Sequence, residues 1–326
     1  MLTWALCLAS SIAAPVPKDA EQFEKAVSVA RKGAIEYLKD KQNKDGNWES
    51  AVFNLLAEME GGQTALVTLA LLESGLPFND PTITKAVEYL VKLPPKKTYV
   101  VSLQMQALAR VDSKKYKEQI QKNADWLIEK AIKNNNALDG WSYPGNQFAD
   151  CSNTHFAVMG LHIAAKAGAK VDEKIWKQIE EFYLRTQRDE GWPYYPHLPA
   201  AQERATRSMT TCALIGLLVA SKHDQNAKGP NKAFEKGLKT LMSWDLLSPK
   251  SNGYALMTVA ELGRLHGSNE FKLGNEKWNW YQTGVETLMK LQKEDGSIVY
   301  SANGLDSYPI LTTAFGLYFL GPPAKK

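Results

Sequence analysis

"YLKDKQNKDGNW", residues 37–48, reads as the end of a helix running into a turn. Asp45 and Gly46 make the turn, because glycine accepts a backbone shape that other residues resist. Gln42 ends the helix, and the Trp48 ring is expected to pack over the end of the helix that follows. The stretch decides the fold because it returns, as "NALDGW" at 136–141, "QRDEGW" at 187–192 and "QKEDGS" at 292–297. Gly46, Gly140, Gly191 and Gly296 are 94, 51 and 105 residues apart. These separations are close to two, one and two units of about 50 residues, a period typical of repeat architectures. The spacing predicts degenerate copies near 95 and 245, where "KLPPKKTY" (92–99) and "LLSPKSNGY" (246–254) carry turn chemistry. A motif that recurs with every unit is a joint, not a site.

Each unit has the same internal order. An amphipathic helix comes first: Phe23, Val27, Ala30, Ala34 and Leu38 recur at helical spacing with charged residues between them. Ile175, Ile179 and Phe182 repeat this in the fourth unit, and Val285, Leu288 and Leu291 in the sixth. After the turn comes a helix apolar on nearly every side, as in "GQTALVTLALLESG" (62–75), "NTHFAVMGLHIAAKAG" (153–168), "TTCALIGLLVAS" (210–221) and "LTTAFGLYFLG" (311–321). Such a helix must be buried all round. Six outer–inner hairpins bury their inner helices by closing into a ring. The expected fold is therefore all-α, a single (α/α)6 toroid over residues 20–322, with no strand of useful length.

The joints carry a resemblance. "YLKDKQNKDGNW" and "FYLRTQRDEGW" look like the repeat of squalene cyclases and protein prenyltransferase β subunits. "WNWYQTGVETLMKLQKEDGS" followed by "TTAFGLYFLG" resembles the last repeat of squalene–hopene cyclase relatives. The likeness covers roughly residues 25–321 and implies the toroid of the terpenoid cyclase and prenyltransferase superfamily. It is specific for fold and much less so for activity.

The chemistry that the resemblance implies is incomplete. Squalene–hopene cyclases protonate their substrate from a DxDD motif, and a protonating carboxyl needs a second acid and an apolar setting to raise its pKa. No DxDD occurs here, nor a DDxxD for Mg2+ on a diphosphate. The family's cyclases also use two toroidal domains, where this chain has one. The prenyltransferase zinc set of Asp, Cys and a later His is not reproduced. In "ADCSNTHF" the Asp150–Cys151 spacing is wrong, and His266 falls after its inner helix. Complement-like thioester domains share the toroid, but "EGGQTA" (60–65) has Gln63 without the cysteine, so no thioester is expected. No metal or cofactor is called for.

Composition fits a soluble chain of 326 residues: 44% hydrophobic, 23% charged and a net charge of +4. No basic run interleaves with aromatics, so nucleic acid is not an expected partner. Residues 1–14 resemble a signal peptide lacking its basic start, with Ser11, Ala13 and Pro15 near the cleavage point, so a secreted or periplasmic location is expected. Past Cys7, only Cys151 and Cys212 remain. They leave open one disulfide or two buried thiols.

The candidate functional residues are polar groups near the starts of inner helices, which carry partial positive charge and spare N–H groups. If these ends share one mouth, they form a polar rim over an apolar well. Gln63, Asn153, Arg204, Arg207, Tyr254 and Tyr308 are the candidate ligand contacts, with Arg204 and Arg207 suited to an anionic group. Asp150 and His155 are the candidates for acid–base work. Ordinary helix capping is the competing role for Asp150 and Asn153. "GWSYPGNQFAD" (140–150) and "GWPYYPHLP" (191–199) form an aromatic loop pair, suited to covering the mouth or plugging between units. The functional expectation is a monomer binding a hydrophobic, isoprenoid-like small molecule, with cyclase or prenyltransferase activity implied by resemblance alone. One alternative is a non-catalytic scaffold binding a partner protein through its rim. Another is a polysaccharide-active toroid, for which no clear carboxylate pair is present.

Overall fold

The computed structural model describes residues 19–50, 59–224, 231–244, 252–300 and 307–324. The expected leader at 1–14 and most of the degenerate joint at 246–254 lie outside them. Twelve helices occur among the described residues, and they alternate between two layers. The outer helices are α1 (Ala20–Asp40), α3 (Pro81–Leu90), α5 (Lys117–Glu129), α7 (Lys174–Thr186), α9 (Lys232–Ser243) and α11 (Trp280–Leu291). The inner helices are α2 (Gly62–Glu73), α4 (Thr98–Asp112), α6 (Cys151–Lys166), α8 (Arg207–His223), α10 (Gly253–His266) and α12 (Pro309–Phe319).

Burial follows the sequence pattern. Outer α7 buries one stripe, Ile175, Trp176, Ile179, Phe182 and Tyr183, and leaves its charged face in water. Inner α2 is buried at every residue from Gly62 to Leu71. Successive inner helices pack side by side, α2 on α4 and so on to α12, and α12 packs back against α2. That last contact closes the ring, and no inner helix is left with an apolar side in water.

The joint has a definite mechanism. The Trp48 indole nitrogen donates to the Leu38 carbonyl at 2.7 Å, while the Trp48 amide donates to Thr64 Oγ1 at 3.1 Å. Trp141 uses Leu127 and Thr154, and Trp192 uses Tyr183 and Thr210, in the same way. Each tryptophan thus satisfies a carbonyl at the end of its outer helix and is tied to the inner helix that follows. The expected stacking over the next helix is replaced by this clamp. In the sixth unit Ile298 keeps only the amide half, donating to Thr313 Oγ1 at 2.8 Å.

Glutamine does the lateral work. The Gln42 side-chain amide donates to the Thr82 carbonyl in the next outer helix at 2.9 Å, and Gln187 to Ala233 at 2.8 Å. Gln292 donates to Ala30 at 2.8 Å and so joins the sixth unit to the first. The neighbouring backbone comes close enough that the turn must be glycine. A Cβ on Gly296 would sit 2.2 Å from the Gly33 carbonyl oxygen, and one on Gly46 2.6 Å from that of Lys85; both glycines have positive φ, 86° and 83°.

Short strands do occur within this all-helical frame. Two short antiparallel hairpins extend the outer layer, β1 (Ile132–Asn134) with β2 (Ala137–Gly140), and β3 (Glu270–Leu273) with β4 (Glu276–Asn279). Asn135 and Asn136 both adopt positive φ, as a two-residue type I′ turn requires. Gly274 at φ 59° opens the other turn.

Candidate functional site

Four aromatic rings from four inner helices meet inside the ring. Tyr99 (α4) and Phe156 (α6) have centroids 4.7 Å apart, Phe156 and Tyr254 (α10) 5.6 Å, and Tyr254 and Phe315 (α12) 6.3 Å. Tyr99, Phe156 and Tyr254 lie in the amino-terminal halves of their helices and Phe315 just past the middle of its own, so the inner helices run parallel and share one amino mouth. Behind these rings is a buried polar chain. The Tyr254 hydroxyl lies 3.2 Å from Cys212 Sγ and 2.9 Å from His155 Nδ1. His155 Nε2 lies 2.8 Å from Glu261 Oε2. His155 is fully buried, Glu261 is 2% exposed and Tyr254 is half-buried. Burial alone disfavours the imidazolium; the Cys212 sulfur and the Glu261 carboxylate act the other way and raise the His155 pKa to about 10. The His155 ring thus faces the Glu261 carboxyl group inside the ring, and the two partners favour its charged form.

The sequence candidates separate into groups. His155 and Tyr254 are brought together by this chain. Asp150 caps α6: its Oδ1 accepts from the Asn153 amide at 2.7 Å, and its Oδ2 accepts from Ser142 Oγ and the Asn153 side chain, both at 2.9 Å. Burial raises the Asp150 pKa, and the donors from Asn153 and Ser142 oppose the rise. Asn153 therefore meets Asp150. Gln63 is buried at the start of α2 and accepts from Ser50 Oγ at 3.3 Å. Arg204 and Arg207 are exposed. Tyr308 is half-buried, and its carbonyl accepts from the Thr312 amide at 3.0 Å. Cys151 and Cys212 are buried free thiols. Among the described residues no group of three His, Cys, Asp or Glu has an arrangement that could hold a metal ion.

The sequence reading missed Glu261. Its signal was present, a lone acid in the apolar run "ALMTVAELG" of an inner helix. A charge there must be paired or in use. Glu49 was missed as well; its Oε1 accepts from Thr64 Oγ1 at 2.6 Å, and burial raises its pKa.

A cavity of about 340 Å³ lies inside the ring at the carboxyl ends of the inner helices, opposite the mouth expected from sequence. Leu69, Gln106, Met159, Ile163, Glu261 and Tyr318 contribute to its wall. The phenylalanines Phe156 and Phe315 occupy the amino side, as their ring contacts show. At that side the two aromatic loops meet at the surface, where Phe148 stacks on His197 with centroids 4.3 Å apart. Phe148 is 57% exposed and Tyr195 43%.

The same arrangement of helices occurs in a solved type II terpene cyclase, MstE from Scytonema. The TM-score is 0.57, with 12% identity over 91% of this chain and 98% of that one. The chain has a terpene-cyclase-like fold. A Tyr-to-Phe variant of MstE matches equally well, at 12% identity and a TM-score of 0.57 over 91% of this chain and 96% of that one. At this identity the likeness concerns fold alone. Single-ring size does not set this chain apart from a cyclase, since the match takes in 98% of the MstE chain. No family model matches the sequence, and no curated protein matches it.

Proposed function

We propose that the protein binds a hydrophobic, isoprenoid-like small molecule in the centre of its ring. The observation that carries this reading is the 340 Å³ cavity, walled by residues of five inner helices, with Leu69, Met159, Ile163 and Leu265 forming its apolar part. That volume is at the lower end of the range for ligand pockets. The fold shared with MstE supports the same reading, since MstE is a type II terpene cyclase. Binding is favoured over cyclase chemistry. The acid motifs are missing from the sequence, both ring nitrogens of His155 are engaged, and both oxygens of Asp150 accept hydrogen bonds. In this reading His155 braces Glu261 in the wall of the well, while Asp150 caps α6 at the opposite end, where Arg204 and Arg207 are exposed as an attractive surface for anionic groups.

Mass spectrometry of an organic extract of the purified protein tests the proposal. A stoichiometric lipid is expected in the native protein. It should fall about tenfold in Ile163→Trp, which fills the cavity from a partly exposed wall position. An extract empty in both samples would remove the reading. The scaffold alternative has one observation in its favour, the exposed Phe148–His197 stack on the amino side. It predicts a protein partner whose binding Phe148→Ser weakens at least tenfold.

A further inference from the structure

The cavity has a floor and a rim. Leu69, Gln106 and Met159 on its wall are at most 5% exposed, Ala109, Ile163 and Leu265 are half-buried, and Arg110 and Lys166 at the ends of α4 and α6 are exposed. Exposure thus rises from the floor to a rim at the carboxyl ends of the inner helices. Beyond the floor Phe156, one turn before Met159 on α6, packs against Tyr99 and Tyr254 with ring centroids 4.7 and 5.6 Å away. These rings fill the amino side, so a chain that enters at the rim meets a stop.

Volume then sets a length. A dry apolar cavity of about 150 Å³ holds one benzene, which is about 25 Å³ for each carbon atom. On that scale the 340 Å³ here holds about fourteen carbons. The figure is an upper bound, because part of the wall is polar. The Glu73–Arg110 pair, Lys166 and Arg264 all border the cavity and narrow the room for hydrocarbon beside Leu69, Met159, Ile163 and Leu265. The bound is independent of the head group, since it concerns the room for carbon alone.

We propose that the cavity selects its ligand by length and takes an apolar chain no longer than a farnesyl group, its tail on the floor beside Met159 and its polar end among the charged side chains of the rim. Squalene, which the resemblance to squalene cyclases would suggest, has about twice the number of carbons that fit and is excluded. This rests on the reading that the ring binds a hydrophobic molecule; it adds the size class of that molecule and the direction in which it lies.

Calorimetric titration of the native protein with geraniol, farnesol and geranylgeraniol, each delivered from cyclodextrin, tests it, since the three differ in chain length alone. Each methylene moved from water into an apolar site is worth about fourfold in affinity. Farnesol is expected to bind at least tenfold tighter than geraniol, and geranylgeraniol no more than threefold tighter than farnesol, because its extra carbons stay in water at the rim. Two lining variants move this break in opposite directions. Ala109→Phe fills part of the cavity from a half-buried position and should bring farnesol within threefold of geraniol. Leu69→Ala enlarges the cavity and should give geranylgeraniol at least a tenfold advantage over farnesol. If Leu69→Ala does not fold, Ala109→Phe alone decides. Affinity in the native protein that climbs at least tenfold from farnesol to geranylgeraniol would overturn the length limit and leave the hydrophobic-ligand reading standing. A break that Ala109→Phe leaves in place would put the site elsewhere and overturn the limit too. Binding of none of the three would overturn both readings.

Discussion

Two buried histidines respond to pH in opposite senses. The folded-state pKa of His155 is raised from 6.5 to about 10, so its contribution to stability is full below pH 6.5 and lost as pH rises toward 10. His162 donates to or accepts from His223 at 2.9 Å, and its pKa is lowered to about 3 by burial first and then by His223, Lys166 and Lys222. Its contribution is full above pH 6.5 and lost as pH falls toward 3. Chemical denaturation across this range should give maximal stability near neutrality. In His155→Gln the alkaline slope should flatten while the acid slope persists; an unchanged alkaline slope would refute the raised pKa of His155. Asp150 supplies a contrasting case. Asp150→Ala removes a cap and leaves Ser142 and Asn153 short of an acceptor, so about 1–3 kcal/mol of stability should be lost. If Asp150 only caps, ligand occupancy measured on the folded fraction should be unchanged, and a tenfold loss there would restore its catalytic candidacy.

The joint is the element on which the fold depends. Gly296→Ala forces a side chain into a positive-φ site 2.2 Å from the Gly33 carbonyl, at the seam where the sixth unit meets the first. It should cost about 2–4 kcal/mol in an unfolding titration. Gly274→Ala, at φ 59° with open space around it, should cost only about 1 kcal/mol. Equal effects would mean that the seam is not tight. The joints were legible because the same residues recur at four of them: Gly for the turn in all four, Trp for the clamp in three and Gln for the lateral tie in three. The hairpins were not, since "IKNNNAL" and "EFKLGNEKWN" are too short and too polar to stand out from loop. Tyr254 and His155 were legible as polar residues in apolar helices. Glu261, from the same class, was missed because the reading concentrated on helix starts, whereas the cavity lies at the helix ends. Which end of a parallel ring remains open depends on which side chains fill the other, and Phe156 and Phe315 settle that through packing between helices far apart in sequence.

At the scale of the molecule, the ring gives six largely apolar helices a place to bury every side. Closure of α12 on α2 turns every inner helix into core and leaves a small room at the carboxyl end of the ring. A shared ring with MstE at 12% identity fixes the container and leaves its contents to individual side chains. The central claim is that the contents are a hydrophobic molecule held at the carboxyl end of the ring. A crystal structure of the protein grown with geraniol measures this most directly. Density for the molecule between Leu69, Met159 and Ile163 is the predicted result. An empty cavity, or density only on the exposed Phe148–His197 surface, would contradict it.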